Sequence, residues 1–166
     1  MVVAFVISWS TQEEYYNLHL QAGYATLGLI CMRLVWGFIG SKHARFTDFI
    51  CSPKATIAYL KLLLHGDSKR YIGHNPAGGA MVALLLTGLL VVTLSGIALD
   101  AAENWSGPMS EMNLYRYTSF IKSIHSTSTD LLLVAISFHL LGVFYSSLAY
   151  RENLIKSMIT GKKRKS

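Results

Sequence analysis

Three stretches of the chain stay apolar for longer than a lipid bilayer is thick. "AGGAMVALLLTGLLVVTLSGIAL" (77–99) contains no charged residue and exceeds the roughly 20 positions that a membrane helix needs. "LHLQAGYATLGLICMRLVWGFIG" (18–40) and "STDLLLVAISFHLLGVFYSSLAY" (128–150) are nearly as apolar, each marked by a few polar residues. The pattern predicts membrane helices near 18–39, 76–99 and 123–149. The opening "MVVAFVISWS" is apolar too, but about ten residues rise only ~15 Å as a helix. It has no basic start and no small-residue cleavage site, so it does not read as a signal peptide. We expect it to be part of a first helix, near 1–11, whose beginning lies before Met1.

Between the first two long stretches, the polar and apolar positions change period. In "SPKATIAYLKLLLHG" (52–66), Ile57, Leu60, Leu63 and Leu64 fall on one helical face. Ser52 stands at the N-cap and Pro53 at the first helical position, both favourable there. This predicts a short amphipathic helix over 53–65 lying on the membrane surface. "GHNPAGG" (73–79) opens the next membrane helix, with Asn75 as cap and Pro76 as first residue, and Gly78 and Gly79 allow a close neighbour. The expected fold is all-α: a single integral membrane four-helix bundle spanning 1–166.

Composition agrees, with 52% hydrophobic and 14% charged residues in 166. The net charge of +6 could suggest a nucleic-acid partner, but its distribution argues against one. Lys42, Arg45, Lys54, Lys61, Lys69 and Arg70 share the 40–75 segment; Arg151, Lys156, Lys162, Lys163, Arg164 and Lys165 share the tail. On the other side, Arg116 and Lys122 face Glu13, Glu14, Asp100, Glu103 and Glu111. By the positive-inside rule, the 40–75 loop and the C-terminus are expected to be cytoplasmic. Cys31 and Cys51 are poor disulfide partners in a reducing compartment, and no C-x-x-C-H attaches a c-type haem.

The polar residues inside the apolar stretches carry the chemistry. His125 and His139 are fourteen positions apart, which returns to within about 40° after ~21 Å of helix. They share a face at two depths. No H-x-x-H, H-x-x-x-H or E-x-x-H occurs, which disfavours a zinc or di-iron site. Haem fits better, because it lies between helices and its iron takes one imidazole from each side. His19, starting the 18–39 helix, matches the depth of His125, and Gly23 leaves room for a ring edge. Arg33, fourteen residues after His19, matches the depth of His139, where a haem propionate would be its counter-charge. A histidine on an apolar face is more often a hydrogen-bonded core residue, and helix ends tolerate polar groups. Neither reading accounts for three histidines at two matched depths plus a buried arginine. Asp130 receives no role.

Taken together, "HLQAGY", "RLVWGFIGSKHARFTDF", "SPKATIAYL", "RYIGHNPAGGAMV", "H…LLLVAISFHLLGV" and "RENLIKSMITGKK" resemble the bacterial cytochrome b561 and nickel-iron hydrogenase b-subunit family. The resemblance covers essentially the whole chain. It implies a four-helix membrane bundle with two non-covalent haems b, each held by two histidines. Carried over, His19 and His125 bind the outer haem and His139 is one ligand of the inner haem. The family's other inner ligand is a histidine near the start of its first helix, a region that would precede Met1. We therefore expect a truncated first helix, the alternative being a chain with one complete haem site. His43 and His74, on the inner side, could contact a propionate or a quinone, serve as a surrogate ligand, or cap a loop.

The function expected from this reading is electron transfer, since bis-histidine ligation leaves the iron no open position. The expected partners are a quinone pool and a redox protein such as a cytochrome c, a dehydrogenase or a hydrogenase. The chain would be an electron-transfer protein or a subunit of a respiratory oxidoreductase complex. The rivals are a quinone-linked oxidoreductase acting on a small oxidant at the outer haem, and a haem-free membrane anchor.

Overall fold

The computed structural model describes residues 1–11, 14–41, 44–65, 71, 73, 75–149, 153, 154 and 156. Among these residues the regular structure is helical: α1 (Val2–Ser10), α2 (Tyr16–Ile39), α3 (Phe46–Phe49), α4 (Pro53–Leu64), α5 (Pro76–Asn104) and α6 (Thr118–Ala149). Two 3₁₀ turns, Ser110–Met112 and Leu114–Tyr117, lead into α6. Three helical segments are long and apolar enough to cross a membrane: Tyr16–Ile39, Pro76–Asn104 and Leu114–Leu148. A helix satisfies its own backbone hydrogen bonds, which is what hydrocarbon demands of any spanning segment. The chain is an all-α membrane helical bundle.

Local sequence sets the helix starts. The Ser52 side chain accepts a hydrogen bond from the Ala55 amide at 3.3 Å, and Asn75 Oδ1 accepts from the Gly78 amide at 2.7 Å. Each cap is followed by proline at the first helical position. These satisfy amide groups that an uncapped helix would leave bare. The ends of the long helices differ from the apolar pattern. α5 runs past residue 99 to Asn104, and α6 begins at Thr118 instead of near 123. The extra turn of α5 contains Asp100, a residue that hydropathy places in a loop. Here it is 4% exposed, because Tyr16 and Asn104 supply it with hydrogen bonds.

α5 is the central helix, packing against α6, α2 and α4, while α1 lies along α2. Its buried positions include Leu86, Val92, Ile97, Ala101 and Ala102. α2 and α6 turn bulky apolar side chains outward, among them Met32, Trp36, Phe38, Leu131, Phe138 and Phe144. Such a surface suits lipid as its solvent.

The end of the bundle bearing α3 and α4 is closed by aromatic packing. Phe49 is fully buried, and its ring meets that of Phe46 edge-to-face at 5.8 Å. A Cβ at Gly79 would collide with the Phe49 carbonyl oxygen, so α5 lies against this turn as closely as backbone can.

Candidate functional site

At the opposite end, His19 projects from the first turns of α2 and His125 from α6, and the two rings come together. Their centroids are 6.3 Å apart and their planes are nearly perpendicular, at 82°. Both rings are half-buried. They face a cleft of about 300 Å³ walled by α1, α2, α5 and α6: Phe5, Ser8 and Trp9 from α1, Gly23 and Thr26 from α2, Leu89 and Val92 from α5, and Ser126 and Thr129 from α6.

Each imidazole is oriented from behind through Nδ1. His19 Nδ1–H donates to the Ser8 carbonyl at 2.7 Å, and the Ser8 hydroxyl donates back to the His19 carbonyl at 3.3 Å. His125 Nδ1–H donates to the Val92 carbonyl at 3.0 Å, with the Ser95 hydroxyl oxygen 3.2 Å from the same nitrogen. A carbonyl oxygen can only accept, so both rings carry a proton on Nδ1, and in the neutral form this leaves the Nε2 lone pair free. This tautomer is the one that a metal-ligating histidine with a backbone second shell adopts.

Gly96 makes room for the His125 ring against α5. A Cβ there would lie 3.0 Å from His125 Cε1 and 3.3 Å from Nδ1. Gly23 differs: a Cβ there would meet nothing within 4 Å, because this position borders the cleft itself.

The donor set suits haem. Two imidazoles bound to one metal from opposite sides, at about 2 Å per bond, have centroids roughly 6 Å apart, which matches the observed pair. Among the described residues, no group of three or more His, Cys, Asp or Glu side chains converges. The pair could thus offer two nitrogen donors to a group that brings the remaining coordination itself. A porphyrin supplies four.

The other residues singled out from sequence lie elsewhere. His139 is half-buried on the same uninterrupted α6 as His125 and makes no hydrogen bond among the described residues. Arg33 sits at the α3–α4 end, where Nη1 donates to the Ala44 carbonyl at 3.3 Å. Its guanidinium lies 5.3 Å from the centre of the Phe46 ring and 5.9 Å from that of Phe49. Two π faces and a carbonyl thus stand beside it. Asp130 is exposed and borders the cleft. His43 and His74 lie outside the described residues.

Ser8, Val92, Ser95 and Gly96 escape sequence reasoning. Val92 and Ser8 act through backbone carbonyls, which no residue type announces, and Gly96 acts through the absence of a Cβ. The S-G pair within the otherwise bulky "VVTLSGIAL" was the available signal.

Several curated proteins are similar in sequence to this chain. Proteins described as "Probable Ni/Fe-hydrogenase B-type cytochrome subunit" match from Azotobacter vinelandii (26% identity over 159 residues, 86% of this chain and 65% of the relative) and Rhizobium leguminosarum bv. viciae (24% over 162 residues, 88% and 67%). A protein of the same description from Rhodobacter capsulatus is 23% identical over 159 residues, 86% of this chain and 60% of the relative. The chain thus spans about two thirds of the length of these relatives. No solved structure matches it significantly. The profile of the family described as prokaryotic cytochrome b561 matches residues 1–161, taking in both imidazoles and every helix that walls their cleft, and the chain belongs to that family.

Proposed function

We propose that the chain holds a b-type haem between His19 and His125 and passes single electrons within the membrane. The observation that carries this reading is the imidazole pair, 6.3 Å apart, with both Nδ1–H groups donated to backbone carbonyls. His19 and His125 would hold the haem, which would supply an iron able to cycle between ferric and ferrous. Ser8 and Val92 hold the rings in register through their carbonyls. Phe5 and Leu89 give the cleft apolar wall, which raises the cost of any charge left against it. Held by both imidazoles, a bound haem would supply electron transfer and not oxygen activation.

His139 is proposed as a ligand at a second, deeper site, about 21 Å further along α6. The partners proposed are a hydrogenase-type enzyme, from the names of the relatives, and a quinone pool. The location proposed is the bacterial inner membrane, with the basic segments cytoplasmic.

The test is a dithionite-reduced-minus-oxidised spectrum of the purified protein, with His19→Ala and His125→Ala beside it. The wild type should show sharp b-type bands, and each variant should lose the haem held by this pair. Unchanged haem content in both variants refutes the ligand assignment.

A further inference from the structure

One helical turn beyond the histidine pair lies a second polar layer that electron transfer does not use. Tyr16 precedes His19 by one turn on α2, and Asp100 follows Gly96, the residue against the His125 ring, by one turn on α5. The Tyr16 hydroxyl donates to Asp100 Oδ1. Asn104 Nδ2 donates to the same oxygen at 3.1 Å and to the Tyr16 hydroxyl at 2.8 Å. All the donors thus converge on Oδ1. Asp100 Oδ2 is buried without a hydrogen-bond partner, and no lysine or arginine among the described residues pairs with the carboxyl group.

A buried carboxylate with one bare oxygen is costly, and protonating that oxygen removes the charge. Asp100, Tyr16, His19 and His125 border the same small cavity, with Glu103 at its edge. The other titratable groups near Asp100 do not neutralise it. Glu103 pairs with Lys122 at 3.7 Å, and the Tyr24 hydroxyl stands 2.9 Å from where a Cβ of Gly107 would be, beside Oδ2. On the 3₁₀ turns, Glu111, Tyr115, Arg116 and Tyr117 are exposed.

We infer that Asp100 is a proton-binding site linked to the redox state of the haem proposed between His19 and His125. This rests on that haem reading. A haem held by the two imidazoles would take one electron from the redox partner, which would add one negative charge to the cleft. One proton from the adjacent water phase then forms an O–H bond at Asp100 Oδ2, turning carboxylate into carboxylic acid. When the electron leaves, the O–H bond breaks and the proton returns. Tyr16 and Asn104 are positioning residues that occupy Oδ1 and leave Oδ2 to take the proton.

The experiment is a spectroscopic redox titration of the haem-loaded protein at several pH values, paired with infrared redox difference spectra. The wild-type midpoint potential should fall as pH rises, because protonation favours the reduced form. Reduction should raise a carboxylic-acid C=O band. Asp100→Asn should flatten the pH dependence and abolish the band; Tyr16→Phe should retain the band at a shifted frequency. If Asp100→Asn does not retain haem, the wild-type band and its displacement in Tyr16→Phe decide. A haem-bearing wild type with a pH-independent potential and no such band overturns this inference alone, as does an Asp100→Asn protein that keeps both. A wild type without any b-type spectrum overturns the haem reading as well.

Discussion

Gly96→Ala should make the helix more stable and the haem site worse, and the opposite signs make the experiment decisive. In a helix interior, alanine is favoured over glycine by about 1 kcal/mol. The new Cβ, however, would lie 3.0 Å from His125 Cε1 and 3.3 Å from Nδ1, where carbon atoms prefer about 3.5–4.0 Å. Relief requires the ring to retreat from α5 by roughly half an ångström. That same movement stretches the 3.0 Å bond from Nδ1–H to the Val92 carbonyl to the limit of hydrogen bonding. Loss of such an outer-shell partner typically lowers metal-site affinity about 10–100-fold, or ~1.4–2.8 kcal/mol. We expect apo-protein thermal stability in detergent to be unchanged or higher, while haem titration shows weaker binding of that order. Wild-type haem affinity in Gly96→Ala would refute the claim that α5 positions His125 through this contact.

Two further outcomes follow from the same coordinates. Gly79→Ala places a Cβ against the Phe49 carbonyl oxygen, a backbone atom that cannot rotate away. It should cost about 3 kcal/mol or more in unfolding experiments, and a melting temperature equal to wild type would disprove the close approach of α5 to that turn. Ser8→Ala removes the 3.3 Å hydroxyl bond to the His19 carbonyl but keeps the backbone acceptor for Nδ1. It should lose about 1 kcal/mol of stability with haem content intact, whereas haem loss would show that the hydroxyl itself orients the ligand.

What could be read from the sequence was what is local or periodic. Ser52–Pro53 and Asn75–Pro76 announce helix starts because a cap and the first turn are settled within four residues. The pairing of His19 with His125 was legible because each sits at the N-terminal end of an apolar run, and α2 and α6, separated by one returning helix, run in the same direction and bring those ends to one depth. Asp100 shows where this reasoning stops. Its charge marks an end of apolar sequence, yet its partner Tyr16 is eighty-four positions away, so only the packed α2–α5 contact reveals a buried carboxyl group. Arg33 teaches the same lesson. An arginine in an apolar run calls for a partner, but that Phe46 and Phe49 offer their ring faces depends on how the chain turns after α2.

The acceptors behind both imidazoles are main-chain atoms, and this decides what the site can sense. No substitution at position 8 or 92 deletes a carbonyl, so ring orientation reports where whole helices stand. The two sides report on different neighbours: His19 is tied to α1, while His125 is tied to α5 at the centre of the bundle. A slide of α1 along α2 by half an ångström would stretch the 2.7 Å bond behind His19 and leave the one behind His125 untouched. A displacement of α1 would therefore reach one imidazole and not the other.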